Sequence, residues 1–232
     1  FIVVYAETEA SIVKDSEETI YQFKYPSSPI TDISDGTYDL GSITVDDAGA
    51  WYISNVLLDG YEFISQYDDS PPPVTVIWEE DYQRDSAYNS FTNKLYINGT
   101  APRNDAWYPS VILHEYAHYL VDYYYGWDLY IAWGDHDWWS SSTPEIAFSE
   151  GFAHFFQAAV KTWKGYENAE YLYAPQYGYV ISLEDTWANV EDNRDSYESS
   201  VAGILWDIYD SSDDDQNSDG MGCLLYTSPS PR

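Results

Sequence analysis

The stretch His114-Glu115-Tyr116-Ala117-His118 constrains this chain more than any other. Residues four apart on a helix share one face, one turn apart. Two neutral imidazoles so placed converge on a point that a Zn²⁺ ion, at roughly 2.0–2.1 Å from each nitrogen, can occupy. Glu115 projects beside that point without being a ligand, placed to take a proton from a water that the ion activates. The flanking residues Val111, Ile112, Leu113, Leu120 and Val121 are apolar, so the pair lies in a mostly buried helix, expected over 106–125. Buried His and Glu require partners. The chain has only four histidines, and two of them fall at this spacing.

Such a pair needs a third ligand. A Gly three and a His six positions after His118 would extend the motif in the metzincin manner; those positions hold Val121 and Tyr124, which excludes it. A second helical stretch, 144–164, opens with Thr143-Pro144, a capping residue followed by proline at the first helical position. It contains Ser149-Glu150-Gly151-Phe152-Ala153-His154. Glu150 is flanked by Ile146, Ala147, Phe148, Phe152 and Ala153. A carboxylate there is either paired or metal-bound, because burying it alone is costly, or it lies on an outer face in solvent.

The two motifs together resemble those of the gluzincin metallopeptidases, the thermolysin-like proteases and zinc aminopeptidases, whose second motif commonly reads Asn-Glu-Gly-Phe-Ala. The chain is also similar to a group of secreted bacterial and archaeal proteins in which the runs Val74–Trp78, Thr92–Ile97 and Val111–Tyr116 recur in this order. The resemblance covers about 50–222. It implies an α+β zincin-type domain, a small sheet with active-site helices. It also implies His114, His118 and Glu150 as zinc ligands, Glu115 as general base, a peptide or protein substrate and an extracellular location. Glu150 follows His118 by 32 positions, more than in thermolysin-like enzymes, and a Trp- and Asp-rich insert is expected to fill the difference.

Other roles stay open. Where thermolysin-like enzymes carry an Asp four after the ligand Glu, this chain has His154, which either supports a ligand through a ring nitrogen, is itself an alternative ligand, or simply packs on its helix. Gluzincins supply a donor to the transition state from a later helix; Tyr197, opening the helical stretch 197–209, is the candidate, Arg194 the runner-up, and a capping-region Tyr the plain reading. The run Asp210–Gly220 (DSSDDDQNSDG) suits Ca²⁺ through Asp213, Asp215, Asn217 and Asp219, or is a solvated acidic loop without the closing Glu of an EF-hand. Asp135-His136-Asp137 reads as an exposed loop, with Trp138 and Trp139 as candidate cleft residues.

Charge narrows the partners. Forty Asp and Glu against nine Lys and Arg give a net charge of −31, which repels phosphate backbones and argues against nucleic acid. Apolar runs reach about six residues, far below the roughly 20 of a membrane span. Residues 1–49 read as the remnant of a small β-rich domain, 50–222 as the zincin-like domain. Residues 223–232 (CLLYTSPSPR) match a translated sequencing adapter and are expected not to be biological, which removes the single cysteine, Cys223, from consideration. The expected activity is zinc-dependent peptide hydrolysis. The alternative is a non-catalytic, calcium-binding surface or adhesion module on a zincin-like fold.

Overall fold

In a computed structural model that describes residues 2–25, 44–45, 48–67, 70–126, 138–174, 179–183 and 196–209, the short β-branched runs pair into sheets and the periodic segments form helices. The fold is α+β. Two compact units divide at 115/116, within one continuous helix.

The first unit is built on a four-stranded sheet of order β2-β4-β6-β5, with β2 (Ser11–Lys14), β4 (Val74–Ile77), β5 (Ala87–Asn89) and β6 (Lys94–Tyr96). β2, β4 and β6 run parallel, and β5 closes one edge antiparallel to β6. Val13 pairs with Val76, Val76 with Leu95 and Leu95 with Tyr88. Directly paired residues share a face, and all four are buried, so they form one row across the sheet. The boundary expected at 49/50 is crossed by this sheet: β2 comes from the segment read as a separate β-rich remnant, yet it pairs with β4. The remaining strands of that segment, β1 (Ile2–Tyr5) and β3 (Gln22–Tyr25), form their own antiparallel pair.

Helix α1 (Ala48–Ile64) packs against β2. Its buried stripe is Ile53, Val56, Leu57, Gly60 and Phe63; Trp51, Tyr61 and Ile64 are half-buried. At Gly49 the helix comes close to the sheet: an added Cβ there would lie 2.5 Å from the Trp78 ring.

A 3-10 turn at Asp105–Trp107, capped by Asn104, precedes helix α2 (Pro109–Tyr125). The sequence placed one helix from 106. It divides because Pro109 disfavours helical geometry at the residue before it, and Tyr108 is extended at φ −113°, ψ 95°. Gly126, at φ +69°, follows the end of α2.

The second unit pairs helix α3 (Pro144–Lys164) with helix α4 (Glu198–Tyr209), beside a two-stranded sheet of β7 (Tyr171–Ala174) and β8 (Tyr179–Ser182). The Thr143 hydroxyl accepts from Ile146 N at 3.4 Å, and Gly165, at φ 74°, ends the helix in the left-handed conformation that glycine adopts without strain. Trp138, Ala158, Leu172, Leu183, Ala202 and Trp206 form the core. Trp138 is therefore a core residue, whereas Trp139 is exposed.

Lys161 is buried in this unit. Burial pushes its ammonium from the ordinary 10.5 down to about 8, opposed by the charge of Glu170. The unfolded chain holds this proton up to about 10.5, so below pH 8 folding buries a charge at a cost of about 3 kcal/mol. That cost fades as pH rises from about 8 to 10.5, so this residue's effect on stability improves with pH in that window. Lys161→Met is expected to exceed the parent in urea midpoint at pH 7 by an amount equivalent to at most about 3 kcal/mol, with a smaller excess at pH 9.5. A difference independent of pH would contradict this reading.

No helix among the described residues is long and apolar enough to cross a membrane. Arg194, the 135–137 triplet, the calcium candidates Asp213, Asp215, Asn217 and Asp219, and the 223–232 tail lie outside the described residues.

Candidate metal centre

His114 and His118 stand one turn apart on α2, and Glu150 comes from the second turn of α3. Each offers one ligand atom, and these atoms lie within 4.8 Å of one another. His118 Nε2 is 3.4 Å from Glu150 Oε2. Two donors each about 2.1 Å from a shared tetrahedral ion are themselves about 3.4 Å apart. The His118–Glu150 spacing thus already meets the requirement, and two imidazoles with one carboxylate are a donor set that suits Zn²⁺. The three residues fit a metal ion.

The surroundings fix these side chains. His118 is buried, and its Nδ1 lies 3.2 Å from the Ser149 hydroxyl. A partner at Nδ1 sets the ring's orientation and leaves Nε2 toward Glu150. The sequence reading missed Ser149, although its place beside Glu150, where the related motif has another polar residue, was the available signal. Ser149→Ala is expected to weaken zinc binding about 10- to 100-fold, measured by competition with a chromophoric chelator; unchanged affinity would remove Ser149 from the centre.

Glu115 is held from the sheet edge. The backbone N–H of Tyr88, in β5, donates to Glu115 Oε2 at 2.9 Å. Tyr88 N faces away from β6 and toward α2, so the edge strand carries the anchor for this carboxylate. A backbone donor leaves no trace in side-chain sequence.

The His154 ring meets Trp138 edge-on, with centroids 4.9 Å apart at 87°. Among the described residues His154 is not part of the ligand group. Tyr197 precedes α4, and its carbonyl accepts from Val201 N at 3.1 Å. The start of α4 does reach the ligand-bearing turn of α3: an added Cβ on Gly151 would lie 2.7 Å from the Glu198 carbonyl oxygen.

An α+β fold with His-Glu-x-x-His on one helix and a Glu from another meeting it is the build of a zincin-type, metallopeptidase-related protein. The chain belongs to the mycolysin C-terminal domain family, which matches residues 63–229. It is 28% identical over 114 residues to an uncharacterized protein of Archaeoglobus fulgidus, a match covering 49% of this chain and 31% of the relative, so it spans about a third of that protein's length. Among solved structures it is similar to the precursor of protealysin, a metalloproteinase from Serratia proteamaculans, with a TM-score of 0.47 and 15% identity over 83% of this chain and 56% of the other.

Proposed function

We propose that the chain is a gluzincin-like zinc peptidase acting outside the cell on peptide or protein substrates. The observation that carries the reading is the meeting of His114, His118 and Glu150 ligand atoms within 4.8 Å. These three residues would hold the ion, which supplies Lewis acidity that polarises a carbonyl and makes water acidic near neutral pH.

The chain's own residues do the rest. Glu115, on the same helix turn as His114, accepts a proton from the attacking water and returns it to the leaving amine nitrogen. The Tyr88 N–H restricts rotation of that carboxylate. Ser149 keeps the His118 ring in register. β5 lies at the edge of its sheet, and an extended peptide alongside it is the substrate geometry this edge suits. Tyr197 is the proposed donor to the tetrahedral oxyanion, and His154 a supporting residue.

Metal analysis and a quenched-peptide assay test the proposal on the same preparation. About one zinc per chain is expected, with hydrolysis that a chelator abolishes and zinc restores. A chain that binds zinc and cuts neither casein nor peptides would overturn the peptidase reading and favour a binding module.

A further inference from the structure

Beside Glu115 lies a buried charged network that the proposed chemistry does not use. Asp105 is fully buried. Its Oδ1 accepts from Arg103 Nε at 2.9 Å, and its Oδ2 from Arg103 Nη2 at 2.9 Å and from the Ser86 hydroxyl at 2.6 Å. Ser86 immediately precedes the edge strand and its hydroxyl also accepts from Asn98 N at 3.0 Å, while Asp105 N donates to Asn98 O at 2.8 Å. A buried carboxylate so satisfied is a fixed point. The guanidinium resting on it in the two-pronged manner is therefore fixed too.

Arg103 is not used up by this clamp. Its side chain keeps 31% of its surface exposed, whereas that of Asp105 keeps none. The clamp engages Nε and Nη2, and among the described residues Nη1 makes no hydrogen bond. The guanidinium stays protonated, held above its ordinary range by the hydrogen bonds from Asp105 and further by the charges of Asp105, Asp85 and Glu115. Arg103 is thus near enough to Glu115 to feel its charge. The network meets the strand at Ser86, two residues from Tyr88, whose N–H holds Glu115. Two strand residues span about 7 Å.

We propose that Arg103 positions the substrate, donating from Nη1 to a backbone carbonyl of a peptide lying along β5, about two residues from the bond that faces Glu115. This rests on the peptidase reading above. The clamp on Asp105 favours a neutral acceptor. Asp105 already answers the charge of this guanidinium in a two-pronged pair, and a carbonyl needs only the remaining N–H groups. In a chain with nine cationic side chains against 40 acidic ones, a guanidinium fixed at this place is a scarce donor.

The test uses the full chain and a set of blocked peptides lengthened one residue at a time on each side of the scissile bond. In the parent, adding the second residue on one side should raise kcat/KM by about 10- to 100-fold, chiefly through KM, as a charge-assisted hydrogen bond would. Arg103→Lys keeps a charge on Asp105 and should lose most of that step. The double variant Arg103→Gln/Asp105→Asn, which leaves no unpaired buried charge, should lose it as well. The metal-free parent, which cannot cut the peptides, should bind the longer one at least tenfold more tightly than the shorter by calorimetry, and metal-free Arg103→Lys should bind the two alike. Equal or undetectable binding of both peptides by the parent overturns the inference, as does a length effect that survives both variants. A preference that requires a free C-terminal carboxylate, and vanishes with the amide, overturns the carbonyl assignment. Length-dependent binding without hydrolysis by any form would sink the peptidase reading instead and leave the role of Arg103 standing.

Discussion

Glu115→Gln is expected to retain zinc at the parental stoichiometry while losing about 10²- to 10⁴-fold in kcat, the range that a positioned general base contributes. The carboxamide has the shape of the carboxylate, and its oxygen can still accept the Tyr88 N–H that now meets Glu115 Oε2 at 2.9 Å. The edge strand should therefore keep its place, and none of His114, His118 or Glu150 is altered. What the carboxamide cannot do is take a proton from water at neutral pH. Glu115→Ala is the poorer experiment, because it would leave the half-buried Tyr88–Glu115 contact with an unanswered donor and mix a structural loss with a chemical one. Metal content and thermal midpoint establish that the Gln variant is folded and loaded; turnover of a quenched peptide then isolates the base. Turnover within a few-fold of the parent would reject Glu115 as base and with it the proposed mechanism.

The parts of this site that sequence reveals are those written in side-chain periodicity and caps. Thr143-Pro144 gave the start of α3 to the residue, and the apolar rows around His114 and Glu150 gave both helices. β4 and β6 fall within the recurring runs Val74–Trp78 and Thr92–Ile97, whereas β5, the strand that holds Glu115, was not singled out. The place of β2 was not legible either. Ser11–Lys14 is four residues long, and it pairs in parallel with a strand some sixty residues later, a non-local choice that its own pattern cannot encode. The anchor of Glu115 escaped for a different reason: it is a main-chain N–H, which every residue but proline possesses. The contact of the His154 ring with Trp138, a residue of the core, is likewise set by tertiary packing and not by local pattern.

Gly151→Ala separates two physical effects of opposite sign. Within a helix the exchange should stabilise by up to about 1 kcal/mol through propensity. In this fold the new methyl would lie 2.6 Å from Val201 Cβ and 2.7 Å from the Glu198 carbonyl oxygen. Contacts that short require α3 and α4 to separate by about 1 Å, and overpacking of this kind costs typically 1–3 kcal/mol. The carbonyl belongs to the first turn of α4, so no rotamer change relieves it. The expected net result is a loss of stability together with weaker zinc binding, since Ser149 and Glu150 occupy the same turn of α3. Trp206 of α4 lies in the core with Trp138, so intrinsic fluorescence should report the displacement. Adding Val201→Ala should not restore the parent, because it removes Cγ1, at 2.9 Å, but leaves both closer atoms in place. A Gly151→Ala chain as stable as the parent, with undiminished zinc affinity, would mean that propensity outweighs contact here and that α4 does not press on the turn carrying Glu150.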